Sequence, residues 1–411
     1  MTIHGVGRCI HTKMTHLRAC LVLASLVACA DEFSTPHGDA SIPIDSAVTN
    51  EGGAEAAVVD AAGCAIDCQG GACLNGVCQP TVLARGLNGP YGIAIFGDKV
   101  YVTEYVPHGG VLQLSKNGVN QTPQVLATEA ALAKIVKFPG YLSQPFFIAA
   151  SDKEVFWSDI GGLADTGFTK LFRFSTAPNA PIVAYYEICA QGEVGVTPLR
   201  VFWTNQSTTQ CAQPGQNGIF RGDLPNGGHS GSVYFGDGLD GGAKVTANAV
   251  GLDATRVFVG AGNQLLIFDA SKINDPTGVT DALTGSSSAL SAAPYGIASD
   301  AETIFWTDNA SMGSVYALPK MAGPNTAPSK ILATKQGSPL GIAVDDVGPN
   351  AYYTNYAGGQ LMRVKKDGAG QPEAVLSNLA HPAFLVSDAN SLYFTVFGSG
   401  VADGMVMRLA K

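Results

Sequence analysis

The chain has 411 residues, of which 50 are Gly and 22 Pro, with 46% hydrophobic and only 14% charged side chains and a formal net charge of −9. The hydrophobic share suffices for a large core divided among many small sheets. The acidic balance argues against a nucleic-acid partner, because phosphate recognition needs a basic surface.

Residues 1–28 read as a leader. From Met14 a short basic start is followed by an apolar run too short to span a bilayer and then by Leu26-Val27-Ala28-Cys29. That tetrad resembles the lipobox of bacterial lipoproteins, and the resemblance implies a lipid on Cys29 as the new N-terminus; an ordinary secretory signal cleaved nearby is the alternative. Ala30 after Cys29 implies, by the enterobacterial sorting rule, the outer membrane. The expected location is thus the cell envelope, at the outer membrane or surface of a Gram-negative bacterium, with the membrane reached through the lipid anchor. Without the leader's Arg8, Lys13 and Arg18, 21 basic side chains face 33 acidic ones, a net charge of −12. Residues 29–62 are rich in Ala, Asp, Glu, Ser, Gly and Pro and form a disordered tether, reaching roughly 30–35 Å by random-coil scaling.

Residues 63–79 carry Cys64, Cys68, Cys73 and Cys78, too short a stretch to fold on a hydrophobic core. Two disulfides are expected, with a four-thiolate zinc knuckle as the alternative; its paired two-residue spacings are absent. The knot resembles short Cys-Gly repeats between tether and domain in secreted proteins of myxobacteria and their relatives. Cys189 and Cys211 flank an aromatic strand and are expected to pair across it.

From residue 80 to 411 one motif recurs seven times: Val100-Tyr101-Val102-Thr103, Val155-Phe156-Trp157-Ser158, Val201-Phe202-Trp203-Thr204, Val257-Phe258-Val259-Gly260, Ile304-Phe305-Trp306-Thr307, Ala351-Tyr352-Tyr353-Thr354 and Leu392-Tyr393-Phe394-Thr395. The aromatic positions are 55, 46, 56, 47, 47 and 41 residues apart, the period of a four-stranded blade. Upstream of five copies lies a Pro-led apolar stretch, such as Pro90-Tyr91-Gly92-Ile93-Ala94, whose small residues suit strands crowded round an axis; the third and fourth copies, near Gly195-Val196 and Ala249–Leu252, lack the Pro. Downstream comes an amphipathic strand, mostly Gly-led, and then an outer strand. The last copy stops at Lys411 without its outer strand, whereas Thr81–Leu87 reads as an outer strand with no blade of its own. The prediction is an all-β, seven-bladed β-propeller closed by that N-terminal strand, with six blades as the alternative.

Second strands of a propeller end on one face, which makes the residues after the recurrent hydroxyl the candidate rim: Glu104, Asp159, Asn205, Asp308 and Asn355. They either converge on a hard cation, calcium or magnesium, or tie adjacent strand ends by hydrogen bonds. Recurrence in several blades favours the ties.

The segments Ile304–Asp308 and Val201–Asn205 resemble YWTD-type repeats, and Pro90–Ala94 through Val102–Glu104 resembles the repeats of NHL-type propellers and of streptogramin B lyase. The likeness covers most of residues 81–411. The lyase family implies a histidine and a magnesium ion opening a cyclic depsipeptide. His108, beside Glu104, is the candidate base; His229 and His381 are the other propeller histidines, and no family motif surrounds any of the three. A further similarity, to gluconolactonase and regucalcin-like propellers, implies one divalent metal held by a Glu, two Asn and an Asp, a set that Glu104, Asn205, Asn355 and Asp308 would mimic. No phosphate-binding Gly loop and no Gly-x-Ser-x-Gly elbow occurs. The sequence thus favours a lipid-anchored, non-enzymatic propeller binding a protein or small-molecule ligand at one face, with a metal-dependent lyase or lactonase as the alternative.

Overall fold

Among the described residues seven four-stranded antiparallel sheets are present, one for each copy of the motif. The computed structural model describes residues 64, 66–137, 140–161, 168–177, 180–189, 192–205, 218–224, 229–235, 247–262, 264–270, 283–287, 293–322 and 328–411. All of these belong to the unit Val59–Lys411. The innermost strands are Pro90–Phe96, Pro145–Ala150, Val194–Val196, Ala247–Leu252, Pro294–Ser299, Pro339–Val344 and Pro382–Ser387. Each lies against the next and the last against the first, so the ring is closed and holds seven blades rather than six.

Closure follows the prediction. The seventh sheet runs Pro382–Ser387, Ser391–Val396, Gly404–Ala410, Thr81–Leu87, with Thr81 paired to Arg408 and Leu87 to Gly404. The N-terminal strand thus covers the edge that Gly404–Ala410 would otherwise expose.

Between blades the motif's aromatic pairs are fully buried, among them Phe156, Trp157, Phe202, Phe305, Trp306, Tyr353 and Phe394. The tryptophans stack on their cross-strand partners: Trp157 on Phe172 at 5.4 Å, Trp203 on Phe220 at 5.9 Å and Trp306 on Tyr316 at 5.3 Å. Each such pair contributes roughly 0.5–1.5 kcal/mol beyond its burial.

The recurrent hydroxyl binds blade to blade. In six blades it accepts from the backbone N–H of its own inner strand: Gly92 to Thr103, Phe147 to Ser158, Glu193 to Thr204, Gly296 to Thr307, Gly341 to Thr354 and Phe384 to Thr395. At four junctions it also donates to the next blade's inner carbonyl: Thr103 to Phe146 at 2.6 Å, Thr307 to Leu340 at 2.5 Å, Thr354 to Ala383, and Thr395 back to Tyr91 at 2.7 Å. The fourth blade has Gly260 at this position, where a Cβ would meet the carbonyl of Pro294 at 2.8 Å. There the next blade stands too close for a threonine.

On the opposite face, the turn after an inner strand supplies an aspartate to a lysine of the next blade: Asp253 to Lys320 at 2.5 Å, Asp300 to Lys366 at 2.9 Å, Asp345 to Lys411 at 3.2 Å and Asp388 to Lys116 at 3.0 Å. In the first, second and fourth of these, Oδ1 also accepts two turn N–H groups.

Two features depart from a pure strand reading. A helix, α1 (Glu129–Val136), follows the first blade, started by the Thr128 side chain accepting from Ala131 N and stopped by left-handed Lys137. The knot holds two disulfides, Cys64–Cys73 and Cys68–Cys78, and not a zinc site. It packs on Ala410, and the Arg408 guanidinium donates to the Gln69 carbonyl. No helix among the described residues is long and apolar enough to cross a membrane.

Candidate functional site

The rim residues stand where their strands end, paired across to the prolines that open the inner strands: Pro90 with Glu104, Pro145 with Asp159, Pro294 with Asp308 and Pro339 with Asn355. Among the described residues, four of the five have a local hydrogen-bond partner. Glu104 Oε1 accepts from Asn88 N at 2.9 Å, and burial raises its pKa against the pull of the Asn88 and Gly110 N–H groups. Asp159 is fully buried and accepts from Ser143 Oγ, Gln144 N and Gly161 N at 2.8–3.0 Å. Burial outweighs those bonds and pushes its pKa to about 6. Asp308 accepts from Ser314 N and the Tyr316 hydroxyl. Asn355 donates to Gln360, and the buried Asn205 and Asn355 side-chain carbonyls have no partner among the described residues. No hydrogen bond joins any two of the five. Among the described residues no trio of His, Asp or Glu side chains brings its ligand atoms within 4.8 Å of one another.

The candidate base is elsewhere as well. His108 is exposed, in a left-handed turn, and its Nδ1 meets Glu129 Oε2 of α1 at 2.7 Å. His381 Nδ1 contacts the Gly398 carbonyl, and its ring lies 4.8 Å from that of Tyr356. The His229 and Cys189 side chains, Cys211 and Cys29 lie outside the described residues, and with them the predicted Cys189–Cys211 pairing and the lipidation site.

The structure places something else on the axis. The residue after each inner-strand proline points its ring inward in three blades, as Tyr91, Phe146 and Tyr295, and the Tyr91 and Tyr295 hydroxyls meet at 2.8 Å. Around Tyr91 stand Tyr105, Phe146, Phe147, Phe384 and Phe397, with centroids 5.1–6.3 Å away. Tyr105, Tyr295, Tyr356 and Phe397 keep part of their surface open. Burial, with Tyr356 nearby, lifts the Tyr105 phenol to about 12. Burial likewise raises Tyr91 and Tyr295, so all three are neutral donors near neutral pH. Tyr105 and Tyr356 each follow a rim residue by one position, and Phe397 stands at the equivalent place after Thr395 and Val396, so the aromatic wall lies one step beyond the rim.

Beneath this cluster lies an axial cavity of about 170 Å³. The third inner-strand position is uneven around it. Blades one, five and six have glycine there, and a Cβ on Gly92 would meet the Phe146 carbonyl at 2.5 Å. Blades two, three and seven have Phe147, Glu193 and Phe384, all of which line the cavity. Glu193 was not among the expected site residues, because its strand lacks the Pro signal that marks the others.

No protein-family model and no curated protein matches this chain. Among solved structures it is similar to virginiamycin B lyase from Staphylococcus aureus, at 14% identity and a TM-score of 0.54 over 80% of this chain and 98% of that one. It is also similar to streptogramin B lyase, at 12% identity and a TM-score of 0.51 over 81% and 97% of the two chains, and to Kuenenia stuttgartiensis hydrazine synthase, at 12% and 0.54 over 79% and 97%. At these identities the likeness shows the seven-bladed β-propeller fold.

Proposed function

We propose that this chain is a lipid-anchored, non-catalytic propeller of the cell envelope that holds a small ligand by ring stacking at the axial mouth of one face. The observation that carries the reading is the partly open cluster of Tyr105, Tyr295, Tyr356 and Phe397 over the axis, beside rim carboxylates whose oxygens are already occupied by backbone and hydroxyl donors. Concave sites lined by aromatic side chains with a few fixed polar groups are the usual form of a small-molecule pocket. Attachment through Cys29 fits a leader with a lipobox and a tether before the knot.

Ligand-observed NMR with indole as the probe tests the site. Saturable binding that weakens at least about tenfold, or roughly 1.4 kcal/mol, in Tyr356→Ala and Tyr105→Ala is expected. Absence of binding would remove the stacking site, and calcium- or magnesium-dependent opening of a lactone or cyclic depsipeptide would favour the metal-dependent lyase or lactonase instead. The anchor is tested separately by Cys29→Ser, which should release the chain from the membrane fraction.

A further inference from the structure

Glu193 is the one ionisable residue lining the axial cavity among the described residues; its other walls include Ile93, Ile148, Ile297 and Ile342 and the rings of Phe147 and Phe384. Those two rings touch at 5.3 Å and form one aromatic wall. One Glu193 oxygen accepts from Val250 N at 2.5 Å, and the other has no hydrogen-bond partner among the described residues. Among the described residues no lysine, arginine or histidine faces the carboxyl; the titratable groups near it are the phenol of Tyr295 and, bonded to that phenol, Tyr91. A carboxyl at this depth with one oxygen unpartnered among the described residues is costly unless a donor or a positive charge completes it.

We propose that this cavity binds a small monocation, a protonated amine with a short apolar body, whose ammonium group bonds to the unused oxygen of Glu193 beside the Phe147 and Phe384 rings. The size fits: a cavity of about 150 Å³ accommodates a benzene-sized molecule, and this one measures about 170 Å³. The chemistry fits too, since an aromatic wall attracts an ammonium group through its quadrupole and a carboxylate supplies a charge-assisted bond. This goes beyond the stacking site at the mouth, since it concerns the cavity beneath and turns on a residue absent from that cluster.

The site carries a pH signature. Burial pushes Glu193 well above the usual carboxylate range, against the opposing Val250 N–H, so the empty cavity favours the neutral acid over the carboxylate more than water does. Entry of an ammonium ion makes the carboxylate form favourable and sends the Glu193 proton to solvent. Affinity should therefore rise by about tenfold per pH unit while Glu193 is protonated in the empty protein.

The test uses the full chain in detergent with propylammonium chloride as the probe, sodium chloride at equal ionic strength as the control and propan-1-ol as the neutral counterpart. Propylammonium should raise the unfolding temperature more at about pH 8 than at about pH 5, with proton release in calorimetry, while propan-1-ol does neither. Glu193→Gln, which keeps an acceptor for Val250 N, should abolish the propylammonium effect. Equal effects of propylammonium and propan-1-ol, equal propylammonium effects at the two pH values, or an undiminished effect in Glu193→Gln would overturn the proposal. The pH comparison on the unaltered chain decides the matter if that variant does not fold. Indole failing where propylammonium succeeds would remove the stacking site and leave this one standing.

Discussion

Thr354 shows how a single side chain serves two blades. Its hydroxyl accepts from Gly341 N and donates to the Ala383 carbonyl, and it is fully buried. Thr354→Val keeps the shape but strands both backbone groups, and should cost about 2–3 kcal/mol in denaturant unfolding; Thr354→Ser should recover most of it. Asp159 contributes a pH dependence of opposite sign to an ordinary paired carboxylate. Its folded pKa, raised to about 6, lies above the ordinary value of 3.8, so its contribution is complete below about pH 4 and is lost as pH rises through about 6. Relative to Asp159→Asn, which does not titrate, the unaltered chain should lose roughly 2–3 kcal/mol across that interval. Equal pH profiles for the two would show that the carboxyl is not buried as described. At this scale the rim was legible, since a hydroxyl and an Asx repeated at one strand position point to a job done once per blade. Glu193 was not, because only the ring geometry aligns it with Gly92 and Phe147.

The strand Thr81–Leu87 closes the ring against Gly404–Ala410. Leu83 and Ala84 in Thr81–Leu87 are fully buried, the strand being paired along Gly404–Ala410. Leu83→Ala should cost about 2–5 kcal/mol, read from the denaturant midpoint, and deleting 81–87 should expose a sheet edge and promote aggregation. A midpoint unchanged by Leu83→Ala would mean that the strand is dispensable. The knot next to it closes loops with sequence separations of 9 and 10, each disulfide being worth about 2.5 kcal/mol on the loop-entropy view. Strands were readable from alternation and Gly or Pro punctuation, and the displaced outer strand from what each chain end lacked. The helix α1 was not: eight residues with Thr128 as cap sit in a segment that reads simply as the exit from a strand. Its anchor, Leu132, is fully buried against the second blade's core through contacts invisible to local pattern.

Across the whole ring, the aspartate–lysine pairs link four blade junctions on the face opposite the aromatic mouth. Burial works to raise Asp253, Asp300 and Asp388, but the lysine and turn N–H groups prevail and hold all three below the ordinary carboxylate pKa. A depressed folded pKa means stability present above the unfolded value and lost as pH falls through the folded one. Acid unfolding should therefore steepen below about pH 4, and Asp300→Asn should flatten that limb while lowering stability at neutral pH by about 1 kcal/mol. An acid limb that Asp300→Asn leaves unchanged would show that these junctions do not govern it.

The sequence by itself determined the strand order within a blade, the closing strand and the cysteines of the knot, and favoured seven blades over six, because each follows from local periodicity or from counting. Only the tertiary structure decided which cysteines pair, that the rim carboxylates are spent on backbone and hydroxyl donors, and that an acid and two aromatic rings face one cavity. Seven strands from distant parts of the chain meet at the axis, and which residues share that space depends on rotation about the ring and on whether a glycine or a large side chain stands at the third position. No window along the sequence contains that information.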